Sequence, residues 1–189
     1  MLSDPRELIR RPRYSSRAFP AYRFTPGRDP HPIANPLGHS YQPPGSERPH
    51  HEPVTPEAWR ECEPYLYACD LYNHAYWWEA HEEWEGIWKG FLKGSAPRRF
   101  LQGLIQVSAC HLKLYLGHLD GVERLRRTSA GHLRAARSLL DAPILMGVDI
   151  DEMLRRVDAY YSRAILAASV ERAAHDPKSY PYLQLQGCP

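Results

Sequence analysis

The stretch LYNHAYWWEAHEEWEGIW, residues 71–88, decides the fold of this chain. It holds four of the five tryptophans and no proline, and residues compatible with a helix dominate it. At 100° per residue the tryptophans fall on one stripe, with Glu79 and Glu83 roughly opposite. The pattern predicts one long helix over 65–93, stopped at Gly94, with a buried aromatic face and a solvated acidic face.

Further helices are predicted on both sides of this one. Thr55 and Pro56 form a helix-start signal for a short helix, Gly117 is a stop signal, and Asp149 or Asp151 can cap the last helix. The predicted spans are 56–62, 97–116, 120–140 and a final helix that continues to Ala174. No strand pattern competes, so the predicted fold is all-α, a four-helix bundle-like array with short connections.

Proline separates the N-terminal segment from the helices. Residues 1–56 hold twelve of the 18 prolines, together with eight arginines. Proline removes a backbone donor, so this segment is predicted to be an extended arm. Its aromatic residues, Tyr14, Phe19, Tyr22, Phe24 and Tyr41, are expected to anchor it on the domain surface. The predicted organisation is an arm over 1–56, an all-helical domain over 57–176 and an extended tail over 177–189.

Composition argues against a membrane protein and against a small secreted protein held together by disulfides. The 189 residues carry a formal net charge of +2, with 43% hydrophobic and 24% charged residues, as in an ordinary globular domain. No apolar run approaches the roughly 18–20 residues of a membrane span, and the N-terminus lacks a secretory signal. The four cysteines form no CxxC pair, so we expect reduced thiols in a cytoplasmic protein.

The first candidate site is the pair His81 and Glu85, one turn apart within the aromatic stripe. A buried carboxylate needs a partner, and His81 is the nearest candidate. The sequence HEEWE lacks the second histidine of the zincin motif HExxH, which argues against a metalloprotease. A divalent metal ion held by His81, Glu85 and a histidine from elsewhere is chemically permissible.

The second predicted main helix adds a narrow polar stripe. Gln102 and Gln106 lie one turn apart on it, and they either hydrogen-bond to carboxylates of the first main helix or face water. The leading hypothesis is a polar pocket between these two helices that binds a metal ion or a small polar ligand. Its predicted lining is Glu79, His81, Glu82, Glu85, Gln102 and Gln106. If the pocket is catalytic, His81 or Glu82 is the candidate general base.

Two other functions remain open. In the first, the protein is not an enzyme, its polar cluster only fixes helix packing, and its surface binds a protein partner. In the second, which is the least favoured, the third main helix contacts nucleic acid through arginines. No aromatic residues interleave with those arginines, and no nucleic-acid motif is present. The arginines of this helix are Arg124, Arg126, Arg127, Arg134 and Arg137.

Three segments together resemble a known family, the domain of unknown function 309. They are residues 71–88, RRFLQGLIQ at 98–106 and LGHLDGVERL at 116–125. The resemblance implies a small helical bundle-like fold and no established activity. It marks as motif positions Asn73, Tyr76, Trp78, Glu79, His81, Glu82, Trp84, Glu85, Gln102, Gly103 and Gln106. The arm, with PHP and GHSY, also resembles an extension that some members carry. Lys113 and His118 depart from the family pattern, where histidine and asparagine are common.

Overall fold

Proline and glycine mark the helix ends of the chain. The computed structural model describes Arg6 and residues 9–46, 54–170 and 179–188, without the side chains of 166–170. Pro64 and Pro97 lie in the first turns of two helices, where no backbone donor is needed. Gly117, at φ 75°, follows the end of the helix that begins near Pro97.

The described residues form five helices and one small hairpin, which confirms the predicted all-α fold class. The helices are α1 (Glu63–Asn73), α2 (Trp77–Trp88), α3 (Ala96–Tyr115), α4 (Leu119–Arg137) and α5 (Ile150–Val170). The hairpin pairs β1 (Ile144–Leu145) with β2 (Val148–Asp149) in antiparallel register. No helix among these residues is both long and apolar enough to cross a membrane.

The predicted single helix over 65–93 is wrong, because the chain breaks between α1 and α2. Ala75 adopts a left-handed conformation at φ 64°, with hydrogen bonds from Ala75 N to Tyr72 O and from Tyr76 N to Leu71 O. This is a Schellman cap with alanine in the place that glycine usually takes. Arg23, from the arm, donates to the carbonyl of His74. Tertiary contacts therefore end α1 where the local sequence carries no stop signal.

Two smaller predictions also differ from the structure. Residues 56–62 form a series of turns with hydrogen bonds three residues apart, such as Ala58 N to Thr55 O, and not a helix. So short a segment gains too few bonds to offset helix nucleation. The hairpin was not predicted, and it turns through Met146 and Gly147, both at positive φ. The predicted helix end at Ala174 and the boundary at 176–177 lie outside the described residues.

The helix α3 packs against α2 and α4 and forms much of the core. A side chain on Gly103 would come within 2.7 Å of the Leu133 side chain on α4, so the two helices approach closely there. Trp77 and Trp84 of α2 are fully buried, together with Phe100 and Leu104 of α3.

The arm has no regular secondary structure over residues 9–46 and lies against the helical domain. Its arginines stack on aromatic rings, which accounts for part of its basic composition. The pairs are Arg6 on Tyr115, Arg11 on Tyr182, Arg13 on Phe19, Arg17 on Tyr67 and Arg23 on Tyr76. Phe24 is buried, and Phe19 stacks on Tyr76 with ring centroids 5.0 Å apart. These contacts agree with the aromatic anchoring expected from the sequence.

Candidate functional site

A cavity of about 500 Å³ lies between the arm, α1 and α2. Each of the three segments contributes polar and aromatic side chains, and Ser40 and Gln42 at the cavity are exposed. The lining consists of Arg17, Pro20, Ile33, His39, Ser40, Tyr41, Gln42, Tyr67, Leu71, Trp78, Glu79, Glu82 and Glu83. The arm is therefore one wall of the site.

Glu79 is the buried anion of this cavity. The residue is 4% exposed. Its Oε1 accepts a 2.8 Å hydrogen bond from the backbone N–H of Phe24 and lies 3.1 Å from Nε2 of His39. Its Oε2 is buried and has no hydrogen-bond partner among the described residues. One carboxylate oxygen thus holds the arm, while the other retains its full capacity to accept a hydrogen bond.

His39 connects Glu79 to Ser40. The imidazole is 7% exposed, and its Nδ1 lies 2.8 Å from Oγ of Ser40. An ionised Glu79 can only accept, so we assign the proton of neutral His39 to Nε2, facing Glu79. Nδ1 then carries the lone pair and accepts the hydroxyl proton of Ser40. The Tyr22 ring packs edge-on against the imidazole, with centroids 4.6 Å apart.

Two more carboxylates of α2 line the cavity. Glu83 lies 3.1 Å from the guanidinium of Arg17. Glu82 Oε1 lies 3.3 Å from Nδ1 of His81, and hydrogen bonding from His81 lowers the pKa of Glu82 despite partial burial. A carboxyl group with a lowered pKa stays ionised at neutral pH and is a weak base. Glu82 therefore suits electrostatic attraction better than proton abstraction.

Of the α2 residues predicted from the sequence, two line the cavity and two lie outside it. Glu79 and Glu82 line the cavity, and Glu79 is buried, contrary to its expected position on a solvated face. His81 and Glu85 do not line it. They contact each other at 3.5 Å with side chains 27% and 36% exposed. The predicted partnership of His81 and Glu85 is thus present in a half-exposed position.

The two glutamines lie on the half-exposed side of α3. Oε1 of Gln106 is buried without a hydrogen-bond partner in the described part of the chain. Neither Gln102 nor Gln106 lines the cavity beneath the arm. The suggestion that they hold carboxylates of the preceding helix stays a prediction.

The metal hypothesis gains no support from the structure. Across residues 9–46, 54–165 and 179–188, no group of three or more His, Cys, Asp or Glu side chains is arranged to hold a metal ion. The four cysteines are free, and three of them are buried. Burial raises the pKa of the Cys110 thiol to about 12, so this thiol is protonated and inert as a ligand at neutral pH.

The arginines of α4 are largely paired with acidic side chains. Arg126 contacts both Glu123 and Asp158, the latter at 2.6 Å. Arg137 lies 2.9 Å from Asp151. Arg127 also approaches Glu123, at 3.6 Å. Partial neutralisation of this helix reduces what it could offer to phosphate groups.

Sequence analysis missed His39 and Ser40 as site residues. His39 lies forty residues from Glu79 along the chain, and nothing in the local pattern of the arm indicates which helix it covers. The segment GHSY, residues 38–41, resembles part of an extension and indicates no site by itself. A histidine next to a serine in a proline-rich segment with aromatic anchors was the available signal.

The architecture defines a small helical protein with a polar cavity between its core helices and an extended arm. Residues 65–125 match the family described as Domain of unknown function (DUF309). The match confirms the resemblance to this family. It includes Glu79 and the other carboxylates of α2 but not His39 or Ser40. No curated protein and no solved structure gives a significant match to the chain.

Proposed function

We propose that the cavity between the arm, α1 and α2 binds a small organic molecule that carries a positive charge. The observation that carries this proposal is Oε2 of Glu79, a buried carboxylate oxygen that has no partner among the described residues. A buried unpaired acceptor costs about 1–3 kcal/mol. A ligand N–H donor would recover that cost, and a charged donor would gain the most.

The charge of the lining favours a cation. Three carboxylates, Glu79, Glu82 and Glu83, face one arginine, Arg17, which already pairs with Glu83. Three carboxylates outnumber the one guanidinium and the one imidazole of the lining, so negative charge is in excess. The lowered pKa of Glu82 keeps that group ionised at neutral pH.

Aromatic walls favour an organic cation over a hydrated inorganic one. Trp78 and Tyr41 line the cavity, as does Tyr67, whose ring already holds the Arg17 guanidinium at 4.2 Å. Aromatic faces attract alkylammonium groups and also bury the apolar part of the ligand. The volume of about 500 Å³ lies within the range of small-molecule sites.

Titration with benzylammonium tests the proposal, with the Trp78 indole N–H signal in a nitrogen–proton NMR spectrum as the readout. The Trp78→Phe variant assigns that signal. We expect a saturable shift with benzylammonium and none with benzyl alcohol or phenylacetate at equal concentration. Glu79→Gln should weaken binding about tenfold or more, which corresponds to about 1.4 kcal/mol. Glu82→Gln, at a half-exposed position, should weaken it in the same direction.

Glu61→Gln is the matched control. It removes the same charge from an exposed turn before α1 that does not line the cavity, so it should leave the titration unchanged. Equal binding of benzyl alcohol would contradict the role of charge. If Glu79→Gln and Glu82→Gln stay folded and bind benzylammonium as the wild type does, the cavity is not the cation site. The polar cluster would then have a structural role only.

A further inference from the structure

We propose that Ser40 is a nucleophile, with His39 as its general base and Glu79 as the group that orients His39. The three side chains form one chain of contacts in the cavity beneath the arm. Ser40 Oγ lies 2.8 Å from His39 Nδ1, and His39 Nε2 lies 3.1 Å from Glu79 Oε1. A hydroxyl within reach of a base that a third group orients is the geometric signature of an activated nucleophile.

The burial of the three groups matches these roles. Glu79 and the imidazole of His39 are each more than nine-tenths buried, so water does not compete for their contact. Ser40, in contrast, is exposed and lines the cavity. A nucleophile must meet its substrate, whereas its base and orienting group act best in a fixed, desolvated position. If these contacts served only to hold the arm, Ser40 would not need to face the cavity.

The position of the proton on His39 also fits its role as general base. Because ionised Glu79 fixes the proton of His39 on Nε2, the lone pair of Nδ1 points at the Ser40 hydroxyl. The backbone N–H of Phe24 donates a second hydrogen bond to Oε1 of Glu79 and holds the carboxylate in this position. An imidazolium that forms during reaction would lie directly against the Glu79 anion, which stabilises it.

The reaction class that follows is acyl transfer from a small ester. Ser40 Oγ bonds to the acyl carbon while its proton moves to His39 Nδ1. The ester C–O bond then breaks, and the alcohol leaves with that proton. Water attacks the acyl-serine, passes one proton to His39 and releases the carboxylic acid as Ser40 recovers its proton. The net change is one ester and one water converted to one acid and one alcohol.

This inference concerns the same cavity as the proposed cation site but does not depend on the charge of the ligand. A neutral fluorophosphonate probe tests it on the full-length protein, because displacement of fluoride by Ser40 Oγ leaves a stable phosphonylated serine. Peptide mass spectrometry locates the label, and p-nitrophenyl acetate gives a second readout through an initial burst of p-nitrophenolate.

We expect the label on Ser40 in the wild type and no label in Ser40→Ala. His39→Gln should slow labelling about a hundredfold or more, as expected for loss of a general base. Glu79→Gln should slow it about tenfold or more. Ser46→Ala is the matched control, since it removes an exposed serine of the same arm that lies outside the cavity, and it should label at the wild-type rate.

Three results would overturn the inference. They are labelling no faster than that of heat-denatured protein, label spread over several serines, and an unchanged rate in a folded His39→Gln variant. The two proposals fail separately. Cation binding without labelling would reject the nucleophile and keep the pocket. Labelling of Ser40 without cation binding would reject the proposed ligand class and keep the nucleophile.

Discussion

The carboxylate of Asp70 accepts a 2.8 Å hydrogen bond from the backbone N–H of Tyr14 and so ties α1 to the arm. The N–H of Ser15 and Nε of Arg13 reach the second carboxylate oxygen, at 2.9 and 3.4 Å. Asp70 is fully buried. Together with Glu79, it gives the helical domain two buried carboxylates whose donors come from the arm, so the arm completes the core.

Replacing Asp70 with asparagine should destabilise the protein. The amide –NH₂ group would face the donors of Ser15 and Arg13, so at least one buried hydrogen bond is lost without replacement. We expect a loss of about 1–3 kcal/mol in the free energy of unfolding, measured by urea denaturation at neutral pH. Asp141→Asn makes the same chemical change at an exposed position after α4 and should cost under about 0.5 kcal/mol. Equal costs would mean that Asp70 does not hold the arm.

The free energy of unfolding of the wild type and of Asp70→Asn, measured against pH, gives an independent check. Burial is the largest influence on Asp70 and raises its pKa, against lowering by the N–H groups of Tyr14 and Ser15. The raised pKa stabilises the folded state below the unfolded value of 3.8, and this contribution is lost as pH rises through the folded pKa. The wild-type stability, taken relative to Asp70→Asn, should therefore fall with rising pH in that window. An increase would show that the folded state favours the ionised form.

The break between α1 and α2 is tested by two alanines that are both fully buried, Ala75 and Ala80. Ala80→Gly lies inside α2 and should cost about 1 kcal/mol in helix propensity, in addition to the buried methyl group. Ala75→Gly loses a similar methyl group but relieves a residue at φ 64°, so the two effects should nearly cancel. Thermal and urea unfolding would compare the two variants. A continuous helix over 65–93 predicts equal costs.

The contact between α3 and α4 at Gly103 is tested by a second pair. Gly103→Ala would place a methyl group 2.7 Å from the Leu133 side chain and should cost about 1–3 kcal/mol through overpacking. Gly131→Ala meets nothing within 4 Å in α4 and should stabilise the protein by roughly 0.5–1 kcal/mol. Denaturant midpoints give both values. Stabilisation by both changes would mean that Leu133 moves aside easily.

Local sequence patterns predicted the helix that begins near Pro97 and ends before Gly117, but α2 ends at Trp88 and not at the predicted stop, Gly94. The segments around Pro97 and Gly117 agree with the structure because those residues act through their own backbone. The start of the last helix agrees because the Asp149 carboxylate accepts a 2.9 Å hydrogen bond from the N–H of Glu152, three residues on. The break at Ala75 could not be predicted this way. It depends on donors from Arg23 in the arm and from Tyr180 in the tail, which reach the last carbonyls of α1 from distant parts of the chain.

Only the part of the candidate site that lies on α2 could be predicted from local sequence patterns. The spacing of α2 identified Glu79 and Glu82 as candidates, since residues three apart lie close together on a helix. The helical periodicity of 100° per residue placed Glu79 on the solvent side. It carries no information about the arm, which covers that side. His39 reaches Glu79 only through the path of the arm across α2, and this path follows from long-range contacts such as the Phe24 N–H bond to Glu79.

The last prediction concerns His81 and Glu85, which lie one helical turn apart and contact each other at 3.5 Å. In a double-mutant cycle, His81→Ala and Glu85→Gln should be non-additive by about 0.5 kcal/mol in the free energy of unfolding. The pair is half-exposed, so solvent and salt screening keep this value small. Because His81 also lies 3.3 Å from Glu82, a second cycle with Glu82→Gln should show coupling of the same sign.

The pair Glu85 and Lys89 provides the matched comparison on the same helix. Its 3.8 Å contact is longer and its lysine is exposed, so its coupling should be smaller than that of His81 with Glu85. A direct contact between His81 and Glu85 predicts that a chelator leaves the melting temperature unchanged. If chelator lowers it in the wild type but not in the double variant, an ion links the two residues, since a ligand of the folded state raises stability. Strict additivity without a chelator effect would show that the two side chains are independent.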